Sequence, residues 1–302
     1  MSFLRKDIEF PSDAVTCRAW LYQPVETVAS ARPCIVMAHG LGGTRDAGLE
    51  PFAEAFAKAG YVVLLFDYRH FGSSDGMPRQ LLSVRRQLRD WQSAIDTARE
   101  LEGVDPKKIA LWGSSFSGGH VVVAAAKDAR VAAVVAQGPM MDGLAAVMNV
   151  ARYAGISQIL RLSGVGLLDQ LLGLFGLGPV YVPLVATPGQ LAAMSSQDAE
   201  PGYRAITPPH WRNEMAARLA LVLAAYRPIR YADQVTCPAL VQVCMNDSVA
   251  PARSAIATAK RMGERCQLKC YEGMGHFDIY VGAGFEQAVG DQLRFFDSVL
   301  PV

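Results

Sequence analysis

Along residues 33–139, short apolar runs alternate with segments whose apolar residues recur at helical spacing. CIVMA (34–38) and YVVLLF (61–66) are unbroken apolar runs, the pattern of strands buried on both faces. Between them, residues 51–60 read as a short helix stopped by Gly60. Residues 83–101 repeat Val84, Leu88, Trp91, Ile95 and Ala98, and Gly103 follows where a helix C-cap favours glycine. KIALW (108–112) predicts a third strand, residues 117–127 a helix, and VAAVVA (131–136) a fourth strand. The order resumes with ALVQVC (239–244), a helix over 251–262, the strand QLKCYE (267–272) and an amphipathic helix over 285–299. Repeated β-α-β order implies a mostly parallel sheet with helices on both faces. FLRKDIEF and TCRAWLYQP alternate apolar and polar residues, which predicts an antiparallel hairpin at the sheet edge.

Between 140 and 232 the alternation stops. The stretch is rich in Leu, Ala, Met and Gly, predicts helices and loops without strands, and is too long for a connection. It reads as an inserted helical cap, with 1–139 and 233–302 forming the core domain. Residues 166–186 (GLLDQLLGLFGLGPVYVPLVA) carry a single charge, Asp169. A membrane span needs about 20 mostly apolar residues, so length permits one. Gly173, Gly176, Gly178, Pro179 and Pro183 interrupt the run, however, and no basic residue closely follows it. An apolar lid over a substrate pocket is therefore expected, and no membrane partner.

Composition narrows the classes. The 302 residues are 51% hydrophobic and 19% charged, which suits one large domain or one domain with an insertion. A net charge of +1, from 29 basic and 28 acidic residues, argues against a nucleic-acid partner. Cys17, Cys34, Cys237, Cys244, Cys266 and Cys270 form no C-x-x-C pair and read as free thiols in a reducing compartment. MSFLRKDIEF lacks the apolar core of a signal peptide, so a cytoplasmic chain is expected. Neither a P-loop nor H-E-x-x-H occurs and the histidines are scattered, so no cofactor and no metal are expected. Arg85, Arg86 and Arg89 read as the solvated face of a helix. Assembly into a homo-oligomer is left open.

Candidate chemistry gathers in ALWGSSFSGGHVVVAAA (110–126), a strand, a tight turn and a buried helix with three serines. A nucleophile elbow requires small residues two before and two after the serine, because the backbones pass closely there. Ser114 would place Trp112 and Phe116 at those positions, and Ser117 lies too deep in the helix. Ser115, between Gly113 and Ser117, fits the frame with one departure, a serine where the second glycine usually stands. A serine hydroxyl needs a base, and the base needs an acid to hold its tautomer. His276 (EGMGHFDIY) and Asp247 (MNDSVAP) each follow a predicted strand, at the ends where an open α/β sheet gathers its site.

HGLGG (39–43), DYRHFGSSDG (67–76), GSSFSGG (113–119), MNDSVAP (245–251) and GHFDIY (275–280) together resemble the α/β-hydrolase superfamily, with the nearest look that of its dienelactone-hydrolase-like and peptidase-like esterase branch. The resemblance covers about 30–139 and 233–300 and implies an α/β-hydrolase fold, with Ser115 as nucleophile, Asp247 as acid and His276 as base. It also implies an oxyanion hole made by the amides of Phe116 and Leu41, with His39 bracing the loop that carries Leu41. Asp142, after the preceding strand, is the rival acid, and Asp278 is expected to organise its own loop. His70 and His120 read as structural and His210 as an exposed residue of the cap. The expected activity is cleavage of a small-molecule carboxylic ester with a hydrophobic acyl or ring portion, contacted by Leu41, Phe116, Leu174 and Phe175. A thioesterase, acyltransferase, lactonase or peptidase would share these motifs, and non-catalytic binding proteins share the fold. The run at 166–186 alone supports a membrane-associated lipase.

Overall fold

β1 (Phe3–Ser12) and β2 (Val15–Pro24) form the antiparallel edge hairpin that the alternation predicts. The chain continues through β3 (Arg32–Ala38), α1 (Glu50–Lys58), β4 (Val62–Phe66), α2 (Val84–Glu100), β5 (Val104–Ser114), α3 (Phe116–Lys127) and β6 (Ala133–Gln137). Then come α4 (Gly143–Ala154), α5 (Ile156–Leu174), β7 (Tyr181–Val182), α6 (Ala199–Ile206) and β8 (Met215–Ala216). β9 (Ala239–Cys244), α7 (Ala252–Met262), β10 (Cys266–Tyr271) and α8 (Gly282–Val299) complete the order. The computed structural model describes residues 1–25 and 31–302.

Eight strands form one sheet in the order β1-β2-β4-β3-β5-β6-β9-β10. From β4 to β10 all neighbours run parallel, and β2 is antiparallel to both its partners. The period of two sorts each buried strand between two cores. In β3, Cys34, Val36 and Ala38 join Trp91 of α2 and Val121 of α3, whereas Ile35 and Met37 join Phe52 of α1 and Phe296 of α8. Because the strands are parallel, the loops after β3, β5, β9 and β10 emerge on one edge, and these loops carry Leu41, Ser115, Asp247 and His276. β5 begins four residues before the predicted strand because Arg32 pairs with Val104 ahead of a register shift.

Two buried polar assemblies were not visible in the pattern. Asp90 on α2 accepts from Ser12 Oγ (2.7 Å) and from Arg69 Nε (2.7 Å), which fastens the hairpin to the helix. Gln292 on α8 donates to Gln137 Oε1 (2.7 Å) and Gln242 Oε1 (2.6 Å) and accepts from Trp112 Nε1 (3.1 Å).

The stretch predicted to hold no strand contains β7 and β8, which pair antiparallel through Tyr181–Ala216 and Val182–Met215. Two residues per strand are too few to leave an alternating signature. α5 ends at Leu174, and the apolar run then turns at Gly176 with a φ of 70°. Asp169 is buried and accepts from Arg218 Nε (2.8 Å), Arg218 N (2.8 Å) and Val180 N (2.9 Å). Among the described residues no helix is long and apolar enough to cross a membrane.

Candidate active site

The three serines of the elbow have three different partners. Ser114 ends β5, is buried, and pairs with Tyr280 Oη (2.6 Å). Ser117 pairs with Tyr68 Oη (2.6 Å), which in turn accepts from Trp91 Nε1 (2.7 Å), so the departure from glycine is used in the core. Ser115 alone faces a histidine. Its backbone is left-handed (φ 56°, ψ −118°), a conformation that costs on the order of 1–3 kcal/mol for a residue with a Cβ. Hydrogen bonds from Ser115 N to Gln137 O (2.9 Å) and from Met140 N to Ser115 O (2.9 Å) hold the turn. Gly113 is required here, because a Cβ would lie 2.3 Å from Ser117 O.

Ser115 Oγ donates to His276 Nε2 (3.0 Å), and His276 Nδ1 donates to Asp247 Oδ2 (2.6 Å). The other carboxylate oxygen of Asp247 accepts from Val249 N (2.8 Å) and Ala250 N (2.6 Å), which fixes the acid on its own loop. Burial pulls the His276 imidazole pKa down. The Asp247 carboxylate, through its charge and hydrogen bond, outweighs that pull and holds it above the ordinary value. Asp142 is engaged elsewhere: it caps α4, accepting from Leu144 N (3.0 Å), and receives Arg227 Nη2 (2.7 Å). Asp278 Oδ2 accepts from Gly275 N (2.7 Å) within its own loop.

His39, His120 and His70 keep structural places. Burial lowers the His39 pKa, and its Nδ1 donates to Gly40 O (3.0 Å). His120 is buried between Tyr226 and Gln87, and burial lowers its pKa to about 3. Burial, helped by the Arg86 charge, lowers His70 to about 4, and Arg86 Nη1 donates to its Nε2 (3.2 Å). His210 is exposed beside Asp46.

The loop after β3 brings Leu41 against the elbow. A Cβ on Gly40 would approach Ser115 Cβ to 3.0 Å, so glycine admits that closeness. Phe116 is the first residue of α3, and the first amides of a helix have no partner within it. Leu41, Ser115 and Phe116 open on a cavity whose far walls include Ile159, Leu162, Met194 and Leu219. Among the described residues, Ser115, Tyr153 and Ser163 are the hydroxyl-bearing members of its lining. A smaller cavity meets Ser115 from the other side, between His276, Tyr203, Ile206 and Phe277.

Leu174 and Phe175, expected against substrate, lie outside both cavities and are 70% and 79% exposed. The physical reason is the phase of α5. Ile159, Leu162, Ser163 and Gly166 share its packed face, and the buried Asp169 continues that face. Leu160, Leu167, Leu168, Leu171 and Leu174 occupy the outer face. Both faces are apolar, so hydrophobicity alone could not choose between them. The lone carboxylate, which must be paired when buried, was the usable signal.

The family model for serine aminopeptidase S33 matches residues 29–278. The chain is 44% identical over 298 residues to the quorum-quenching protein AidA of Acinetobacter baumannii (strain MDR-ZJ06), covering 98% of this chain and 95% of the relative. It is 28% identical over 277 residues to thiohydrolase aneE of Aspergillus aculeatus, covering 89% and 86%. The crystal structure of the alpha/beta hydrolase GrgF from Penicillium sp. sh18 matches with a TM-score of 0.84 at 27% identity, covering 99% and 100% of the two chains.

Proposed function

Since the chain belongs to the serine aminopeptidase S33 family and is an α/β hydrolase, we propose that it is a serine esterase acting on carboxylic esters with a hydrophobic acyl portion. The observation that carries this reading is the Asp247–His276–Ser115 hydrogen-bond chain ending at a strained turn that opens on an apolar cavity. Ser115 Oγ attacks the ester carbonyl while His276 Nε2 takes its proton. Asp247 holds the imidazole with Nδ1 protonated and stabilises the imidazolium. The amides of Leu41 and Phe116 receive the oxyanion, and losing one such donor costs roughly 10²–10³ in kcat. His276 then passes the proton to the leaving alcohol, and the acyl-enzyme is released by water that the same imidazole activates. The larger cavity holds the acyl chain against Leu41 and Phe116, and the smaller one beside Phe277 receives the alcohol.

The test is hydrolysis of nitrophenyl esters from acetate to dodecanoate by wild type, Ser115→Ala and Ser117→Ala. Turnover abolished in Ser115→Ala alone is expected, and a dead Ser117→Ala would overturn the assignment. A thioester is the second reading, favoured by the likeness to a thiohydrolase. It predicts that an acyl thioester of matched chain length gives the higher kcat/KM.

A further inference from the structure

The loop that presents Leu41 contains Gly40, Gly42 and Gly43, and Gly42 has a φ of 64°. Glycines let the loop approach the nucleophile, but each has more backbone freedom to lose on ordering than any other residue. An oxyanion donor works only if it is held in place before the reaction. The loop's own backbone supplies little restraint, since Gly43 N reaches Gly40 O only at 3.4 Å. Restraint comes from side chains that arrive from the segment between β6 and β9.

Tyr203 on α6 donates through Oη to Leu41 O (2.5 Å), and Trp211 donates through Nε1 to Gly42 O (2.9 Å). The two rings stack at 4.9 Å between centroids and 23° between planes, so each orders the other. Tyr203 is buried, and its ring also meets Phe277, the residue after His276, edge-on at 5.8 Å. Leu184 packs onto Gly42, where its methyl groups would lie 2.8 Å from an added Cβ. Together with His39 on Gly40 O, three consecutive carbonyls of the loop are each taken by a side chain. The Leu41 N–H shares its peptide plane with Gly40 O, which His39 takes, and Tyr203 and Trp211 fix the next two planes, so the first plane cannot turn without breaking their hydrogen bonds.

We propose that Tyr203 and Trp211 are positioning residues, which hold the Leu41 amide in line for the oxyanion from outside the sheet. The proposal rests on the serine-hydrolase reading of Ser115. They touch no reacting atom. Tyr203 also lines the smaller cavity, but Tyr203→Phe keeps that wall's ring and removes only the hold on Leu41 O, so the effect falls on the transition state.

The experiment compares Tyr203→Phe, Trp211→Phe and the double variant with wild type and with Thr207→Val. Thr207, which caps the C-terminal end of α6, donates through Oγ1 to Tyr203 O (3.0 Å) and makes no hydrogen bond to the loop, so its variant controls for a merely structural loss. Both phenylalanines keep an aromatic ring in the stack and delete the donor. Three quantities are measured: kcat and KM on a nitrophenyl ester, the rate of Ser115 phosphonylation by a fluorophosphonate, and melting temperature. The expected result is a kcat lowered about tenfold by Tyr203→Phe and about threefold by Trp211→Phe. KM should stay within about twofold, and phosphonylation should slow in step with kcat. Thr207→Val should match wild type. Unchanged kcat and phosphonylation in the double variant would overturn the proposal, as would a loss expressed in KM alone or equalled by Thr207→Val. A wild type that resists phosphonylation would overturn the hydrolase reading and this proposal with it, whereas labelled wild type with unaffected variants would overturn the proposal alone.

Discussion

In β3 and β4 every apolar side chain is enclosed in one of the two cores, whereas α5 sends Ile159 and Leu162 toward a cavity and Leu160, Leu167 and Leu168 out to solvent. The sheet has a helical layer over each face, so a hydrophobic residue in its strands has somewhere to go whichever way it points. A helix on the outside of the molecule has one partner. Its second apolar face stays wet unless something else covers it. Hydrophobicity therefore means burial in the first region and only availability in the second.

The sharpest break of this comparison is at the sheet edge itself. Removing Ser115 or His276 as alanine should lower kcat by roughly 10⁶, and Asp247→Asn by roughly 10⁴, in ester hydrolysis. Asp142→Asn, which disturbs only the α4 cap and the Arg227 pair, should keep kcat within a few-fold while lowering the melting temperature. A dead Asp142 variant would move the acid to the end of β6.

The next largest effect is expected at the one buried charge of α5. Asp169→Ala strands Arg218 and two backbone amides, and should cost about 3–5 kcal/mol in denaturant unfolding. In the native state burial works against the Asp169 carboxylate, but the hydrogen bonds from Arg218 win and hold its pKa below the ordinary value. Its contribution should accordingly be present at neutral pH and fade as pH falls through that lowered pKa. Within the helix, Leu162→Trp should shorten the preferred ester, lowering kcat/KM on long chains by about 100-fold with little loss on acetate. Leu168→Trp, about one and two-thirds turns away on the outer face, should leave the chain-length profile unaltered.

A smaller effect concerns pH. His276 must be neutral to take the serine proton, and Asp247 raises its pKa. Activity should thus fall with acid along a limb centred above the ordinary imidazole value of about 6.5. Any residual activity of Asp247→Asn should show that limb displaced downward. Smallest of all, Leu168→Ser should change stability by no more than about 0.5 kcal/mol, because a solvent-facing residue has little burial to lose.

The contrast also explains what the sequence made legible. Strand runs, the hairpin and the helices beside them stand out because their periods are strict and their burial two-sided. Ser115, Asp247 and His276 all sit where chemistry collects, after strand ends, but that rule admits Asp142 as well; the family resemblance pointed to Asp247, and the structure brings those three together. Leu174 and Phe175 failed because an apolar residue on an outer helix carries no mark of which way it faces. β7 and β8 escaped notice because two residues cannot show a period. Tyr203 and Trp211 were invisible for a different reason: their hydrogen bonds to the β3 loop cross more than 160 positions of chain.

The inward row of α5 has a consequence for descent. Ile159, Leu162 and Ser163 belong to an element that carries neither nucleophile, base nor acid, so drift there alters the shape offered to a guest molecule while the reacting groups stay put. On the proposed esterase reading, those three positions of one helix help to set which acyl group fits, whereas the same number of changes at the strand ends would remove the chemistry itself.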